Sequence, residues 1–180
     1  APRPSFAMQT TFTIRVTSSA TNTAGTAWGE QPDLLTPSYW DVYISGSSNP
    51  ALPDGVYDGY CLNPNLTIYP SPTSYAADSY AGNTEASFDP LAMSQVTQAQ
   101  VDQINWLLAQ NFTSDSRYAG RYGDGEVQTA IWKLLGFTDA EIAGTPQNFL
   151  TDNGRQTIDP ADVSFLVSAA QNAVASGLQQ

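Results

Sequence analysis

The stretch Gly123-Asp-Gly-Glu-Val-Gln-Thr-Ala-Ile-Trp-Lys-Leu-Leu-Gly136 reads as one short helix. Asp124 is the expected N-cap, and Glu126 sets a negative charge in the first turn, where the helix dipole favours it. Gly136 stands where a left-handed stop is expected. At about 100° per residue, Ile131, Trp132 and Leu135 share one face. Gln128 falls on that same face, while Lys133 points nearly the opposite way. An amide on an apolar stripe needs partners, because a buried amide without hydrogen bonds costs roughly 1–3 kcal/mol. What Gln128 faces is therefore the question around which the chain is read.

Upstream, the period is two. Gln9 to Val16 alternates through Phe12, Ile14 and Val16, and Ser38 to Ser45 alternates through Trp40, Val42 and Ile44. Val56 to Leu62 gives a third strand that stops at Asn63-Pro64 and contains Cys61. The turn between these two strands carries Asn49-Pro50 and Pro53-Asp54-Gly55. Thr17 to Pro37 and Pro70 to Met93 read as long loops, the first with a short strand near Trp28, and Leu66 to Tyr69 as a short extension.

Downstream, the period becomes helical. Thr97 to Asn111 opens with a Thr97–Gln100 capping box and a Val96–Val101 staple, and its inner stripe is Val101, Ile104 and Leu108, widened by Trp106 and Leu107. Thr113 to Tyr122 is a polar, tyrosine-containing connection. A single turn from Thr138 to Ala143 is capped by Thr138 and Glu141; Pro146 to Thr157 reads as a loop. The last helix starts at Asp159-Pro160 and ends at Gly177, with Val163, Leu166, Val167, Ala170 and Val174 inward. Strands first and helices after give an α+β fold by segregation. We expect a single domain over residues 1–180, with a β-rich lobe, a sheet or sandwich-like, over 1–93 and a helical lobe over 94–180.

A chain of 180 residues, 41% hydrophobic, can bury a real core. A net charge of −11, from 17 acids against 6 bases, argues against nucleic acid and favours basic partner surfaces. No apolar run approaches the ~20 residues of a membrane helix, so this segment is not expected to insert into a membrane. No secretory signal opens the chain, which suggests a mature or excised segment. Histidine is absent, which removes Ser-His-Asp and Cys-His catalysis and the usual zinc sites. Asp124-Gly-Glu lacks the spacing of a calcium loop, no phosphate-binding glycine motif is present, and no cofactor or metal is expected. Cys61, the single cysteine, has no partner for an internal disulfide, and its ordinary reading is a small buried hydrophobe. Asp41, Asp58 and Asp89 each adjoin an aromatic, as glycoside hydrolysis would need, but so many acids make such pairs commonplace. A lysine–asparagine crosslink needs a buried lysine, and the only lysine, Lys133, lies on the outward face. Noncovalent protein or sugar binding through Tyr69, Tyr75, Tyr80, Tyr118 and Tyr122 is the alternative to covalent chemistry.

Two local strings bear on that choice: Tyr60-Cys61-Leu62-Asn63, and Val127-Gln128-Thr129-Ala130-Ile131-Trp132. Together they resemble the thioester domains of bacterial surface adhesins. Those domains carry a Cys between an aromatic and an apolar residue followed by Asp or Asn, and later a Gln in a Thr-Gln-x-Ala-x-Trp context. The resemblance covers most of the chain in layout and about ten residues in motif. Val127 departs from it, standing where the family usually has Thr. The resemblance implies an internal thioester between the Cys61 sulfur and the Gln128 side-chain carbonyl carbon, formed with loss of ammonia. An amine on a surface ligand, a lysine of a host protein, then attacks it, leaving Gln128 in an amide bond and Cys61 as a thiol. It further implies a single-turnover tether and not an enzyme, on the outer surface of a Gram-positive bacterium, as one module of a larger anchored protein.

Three physical points agree. Gln128 gains a reason for its place on the apolar face. A near-absence of lysine suits a protein bearing an amine-reactive group, because guanidinium is far too basic to compete. The link would close a loop of 67 residues (128 − 61), which by analogy with disulfides adds about 4 kcal/mol. A lysine amine, with a pKa near 10.4, is about one-thousandth neutral at pH 7. The candidates to assist it are Glu126 and Tyr122, near the start of the Gln128 helix, and Tyr60, beside the nucleophile. Glu126 also reads as a dipole-stabilising charge and Tyr122 as a packing ring.

Overall fold

The computed structural model describes residues 11–18, 40–65, 75–78, 95–113, 115–118, 121–143 and 158–178. The strand expected near Trp28, the extension at Leu66 to Tyr69, the loop from Pro146 to Thr157, and Asp89, Tyr69 and Tyr80 lie outside them, as do the side chains of Asp41, Asp58, Tyr75 and Asp124. The chain is a small antiparallel sheet followed by helices. Strands β1 (Thr11–Ser18), β2 (Trp40–Ser45), β3 (Gly55–Gly59) and β4 (Tyr75–Asp78) form one sheet in the order β3-β2-β1-β4. A single sheet, not a two-layered sandwich, is what the described residues contain. Ile14 faces Ile44 across β1–β2, and Val42 faces Tyr57 across β2–β3. The β2–β3 turn is held by Asp54, whose two carboxylate oxygens accept from the Gly46 and Ser47 amides at 3.0 and 2.8 Å. Those two bonds draw the Asp54 carboxyl below its usual pKa.

β4 lies inside the stretch read as a loop. Its sequence, Tyr-Ala-Ala-Asp, has neither β-branched residues nor an apolar alternation, so pairing with the edge of β1 makes it a strand. β3 ends at Gly59, so Cys61 stands two residues beyond the strand and not within it.

Helices α1 (Gln98–Ala109), α2 (Asp124–Leu134), α3 (Asp139–Ala143) and α4 (Pro160–Ala175) follow. The expected caps form: Thr97 and Gln100 make a full capping box on α1, and Asp159 caps α4 ahead of Pro160. Helix α2 departs in one respect, since its N-cap is Gly123 and not Asp124, with Glu126 accepting from the Gly123 amide. Gly136 follows at φ 91°, the left-handed stop expected of it. On α1 the third buried position is Leu107, and Leu108 is exposed; on α4 Val163, Leu166, Ala170 and Ala173 are buried.

Helices α1, α2 and α4 pack on one another, and α2 is enclosed by the result. Val127, Ala130, Ile131 and Leu134 line the stripe of α2 that meets Val101, Ile104, Leu107, Leu166 and Ala170. From α1, the Gln100 side-chain amide donates to the Leu134 carbonyl at 2.9 Å, satisfying one carbonyl of the last turn. Gln128 and Trp132 lie roughly 100° further round the helix. There Trp132 and Ile142 make a second buried cluster, joined by Val42 of the sheet, Tyr60, Cys61 and Phe137. The expected one-sided amphipathic helix is thus buried on two sides, one against helices and one toward the sheet.

Candidate functional site

The second of those sides brings Cys61 and Gln128 together. Gln128 is wholly buried, 0% exposed. Its Oε1 accepts from the Cys61 backbone N–H at 2.7 Å, and its Nε2 donates to the Cys61 carbonyl at 2.7 Å. One carboxamide therefore grips both polar groups of one peptide residue 67 positions away. The grip depends on β3 ending at Gly59, which frees the Cys61 backbone from the sheet ladder. It depends equally on α2, whose core stripe fixes the rotation of Gln128.

The Cys61 thiol is free and half-buried, and donates to the Asn63 carbonyl at 3.4 Å. Burial pushes its pKa above the ordinary thiol range; the Asn63 backbone and the Trp132 side chain pull the other way and offset part of the rise. Among the described residues no charged side chain enters that balance. A nucleophile in this setting relies on neutral donors and on proximity.

The three residues named as possible assistants stand differently. Glu126 is buried, 1% exposed, and both its oxygens are engaged: Oε2 accepts from the Gly123 amide at 2.9 Å and Oε1 from the Asp159 amide at 3.0 Å. It ties the start of α2 to the N-cap of α4, a structural task that turns the carboxylate toward backbone amides. Tyr122 is buried among aromatics, with Phe112 at 5.3 Å, Tyr118 at 5.8 Å and Phe165 stacked at 5.8 Å between ring centroids. Burial raises its phenol above the usual pKa, the wrong direction for a base. Tyr60 packs against both buried clusters, next to Cys61 in sequence. Val127 lies on the core stripe, buried in one cluster with α1 and α4 side chains.

Two contributions were not legible beforehand: the Cys61 main chain as the partner of Gln128, and Trp132 as the neighbour of the sulfur. The four-residue spacing of Gln128 and Trp132 was the available signal for the second. Among the described residues no group of His, Cys, Asp or Glu side chains could hold a metal ion, and no helix is long and apolar enough to cross a membrane. Lys133 pairs with Asp139, whose side chain is exposed. No protein-family model matches the chain, nor does any curated protein or solved structure.

Proposed function

We propose that this chain is a covalent adhesion module, a single domain displayed on a bacterial surface, in which Cys61 and Gln128 join as a thioester and capture an amine. The observation that carries the reading is the double 2.7 Å grip of a fully buried glutamine on the residue bearing the single thiol. In ring closure the Cys61 Sγ bonds to the Gln128 Cδ, the Cδ–Nε2 bond breaks, and the nitrogen leaves as ammonia with the thiol proton. The Cys61 N–H already donates to Oε1, the oxygen on which negative charge gathers in the tetrahedral intermediate. The Cys61 carbonyl holds Nε2, fixing the plane of the amide under attack.

In capture, an amine nitrogen bonds to Cδ, the Cδ–Sγ bond breaks, and the departing thiolate takes a proton from that nitrogen. The product is an amide between Gln128 and the ligand, with Cys61 again a thiol. Nothing regenerates the thioester, so each molecule acts once and is not an enzyme. The partner best suited is a lysine side chain of a host protein, with the acidic character of the chain, net charge −11, favouring encounter with basic surfaces.

Intact mass tests this directly. We expect the fresh protein to weigh one ammonia less than its sequence, and methylamine to add its own mass while releasing one titratable thiol. Cys61→Ala and Gln128→Ala abolish both changes. A full-sequence mass with a freely titrating thiol overturns the reading. Reversible protein or glycan binding is the second reading. It draws on Phe165, 47% exposed and stacked on Tyr122, with the Arg121 guanidinium over both rings at 5.4 and 5.0 Å. Binding that survives Cys61→Ala and Gln128→Ala yet is lost in Phe165→Ala would select it.

A further inference from the structure

We infer that Trp132 is a positioning residue for the Cys61 sulfur: its indole, one turn beyond Gln128, seats the sulfur beside the Gln128 carboxamide and steadies the thiolate as the bond closes and reopens. The inference rests on the thioester reading for its purpose, but its geometry stands independently. Gln128 and Trp132 are four residues apart on α2 and so lie one above the other. Gln128 takes the Cys61 main chain through both its amide atoms. The side chain of Cys61 packs against the cluster formed by Trp132 and Ile142. Trp132 is 2% exposed and its Nε1 is buried, so the indole lies out of reach of bulk water. One helix face thus holds the two halves of Cys61, main chain and sulfur, with adjacent side chains.

The chemistry calls for such a group. Sulfur carries negative charge as the nucleophile of ring closure and again as the leaving group of capture. Burial disfavours that charge, and among the described residues the Trp132 side chain and the Asn63 backbone favour it. The described charged side chains of α2 and α3 are otherwise committed. Lys133 pairs with Asp139, Glu141 accepts from the Thr138 amide and hydroxyl, and Glu126 accepts from Gly123 and Asp159. An N–H donor to a thiolate acts without a formal charge and without a proton of its own to lose at neutral pH.

The test uses the full chain in two backgrounds. In Gln128→Ala no thioester can form, and the thiol can be titrated. There we expect the Trp132 indole N–H resonance to move in step with thiol ionisation. We also expect Trp132→Phe, which keeps a ring and removes the donor, to slow iodoacetamide alkylation of Cys61 at fixed pH by about tenfold, the scale of one hydrogen bond to a charged group. In the otherwise unmutated chain, Trp132→Phe slows ammonia loss by a similar factor. An indole resonance that stays still through the thiol titration overturns the inference, and so do equal alkylation rates. The resonance measurement retains Trp132, so it decides the matter even where Trp132→Phe folds poorly. A full-length mass with no ammonia loss in the unmutated chain overturns the thioester reading instead, and the titration in Gln128→Ala then still decides the role of Trp132.

Discussion

Cys61 is held at three points: its amide and carbonyl by Gln128, its sulfur beside Asn63 and Trp132. A thiol so placed titrates late. Its folded pKa lies above the unfolded value because burial penalises the thiolate. As pH rises, the unfolded chain loses this proton first, so the stability from the neutral buried thiol is complete below the unfolded pKa and lost as pH passes the folded one. In the Gln128→Ala background, where the thiol stays free, the urea midpoint should therefore fall more between pH 7 and pH 10 than it does in the double variant with Cys61→Ser. Equal slopes in the two proteins would refute it. Gln128 was legible as an anomaly, since a lone amide on an apolar stripe needs partners. The identity of that partner was not in the periodicity, because no local rule links positions 67 apart; only the motif resemblance joined them. Glu126 shows the same limit. Its first partner, Gly123, belongs to the local capping pattern, while its second, the Asp159 amide, lies 33 residues away.

Helix α2 carries the site because it is packed on two sides, which an amphipathic pattern alone does not reveal. Its core stripe was partly hidden by reading Leu135, Ile131 and Trp132 as one face, whereas the structure divides Ile131 from Trp132 between two clusters. The N-terminal caps of α1, α3 and α4 were readable, as they depend on neighbours within four residues. β4 was not, since its strand character comes from β1. Glu126→Gln isolates the structural task at the start of α2. A carboxamide has one acceptor oxygen where two are needed, so one buried amide loses its partner at a cost of about 1–3 kcal/mol. We expect a lower melting temperature with an unchanged rate of methylamine capture per folded molecule. A capture rate that falls while the melting temperature holds would make Glu126 a participant in the chemistry instead.

At the scale of the molecule, the sheet and the helical group meet where Val42, Tyr60 and Cys61 pack on Trp132 and Ile142. A bond between Cys61 and Gln128 would lock that junction and close a 67-residue loop. By the chain-entropy argument it contributes about 4 kcal/mol, less any strain. Calorimetry before and after methylamine should show a drop in melting temperature of several degrees, and no drop would mean that the link constrains nothing.

The separation of the two partners also sets a clock. Cys61 leaves the ribosome well before Gln128, and Gln128 is oriented only once α1 and α4 have closed on α2. In the proposed chemistry a nascent or half-folded chain holds an ordinary thiol and an ordinary amide, neither able to acylate anything. Reactivity would be acquired on completion of the fold, so the cell that makes the protein would handle an inert polypeptide and release an armed one.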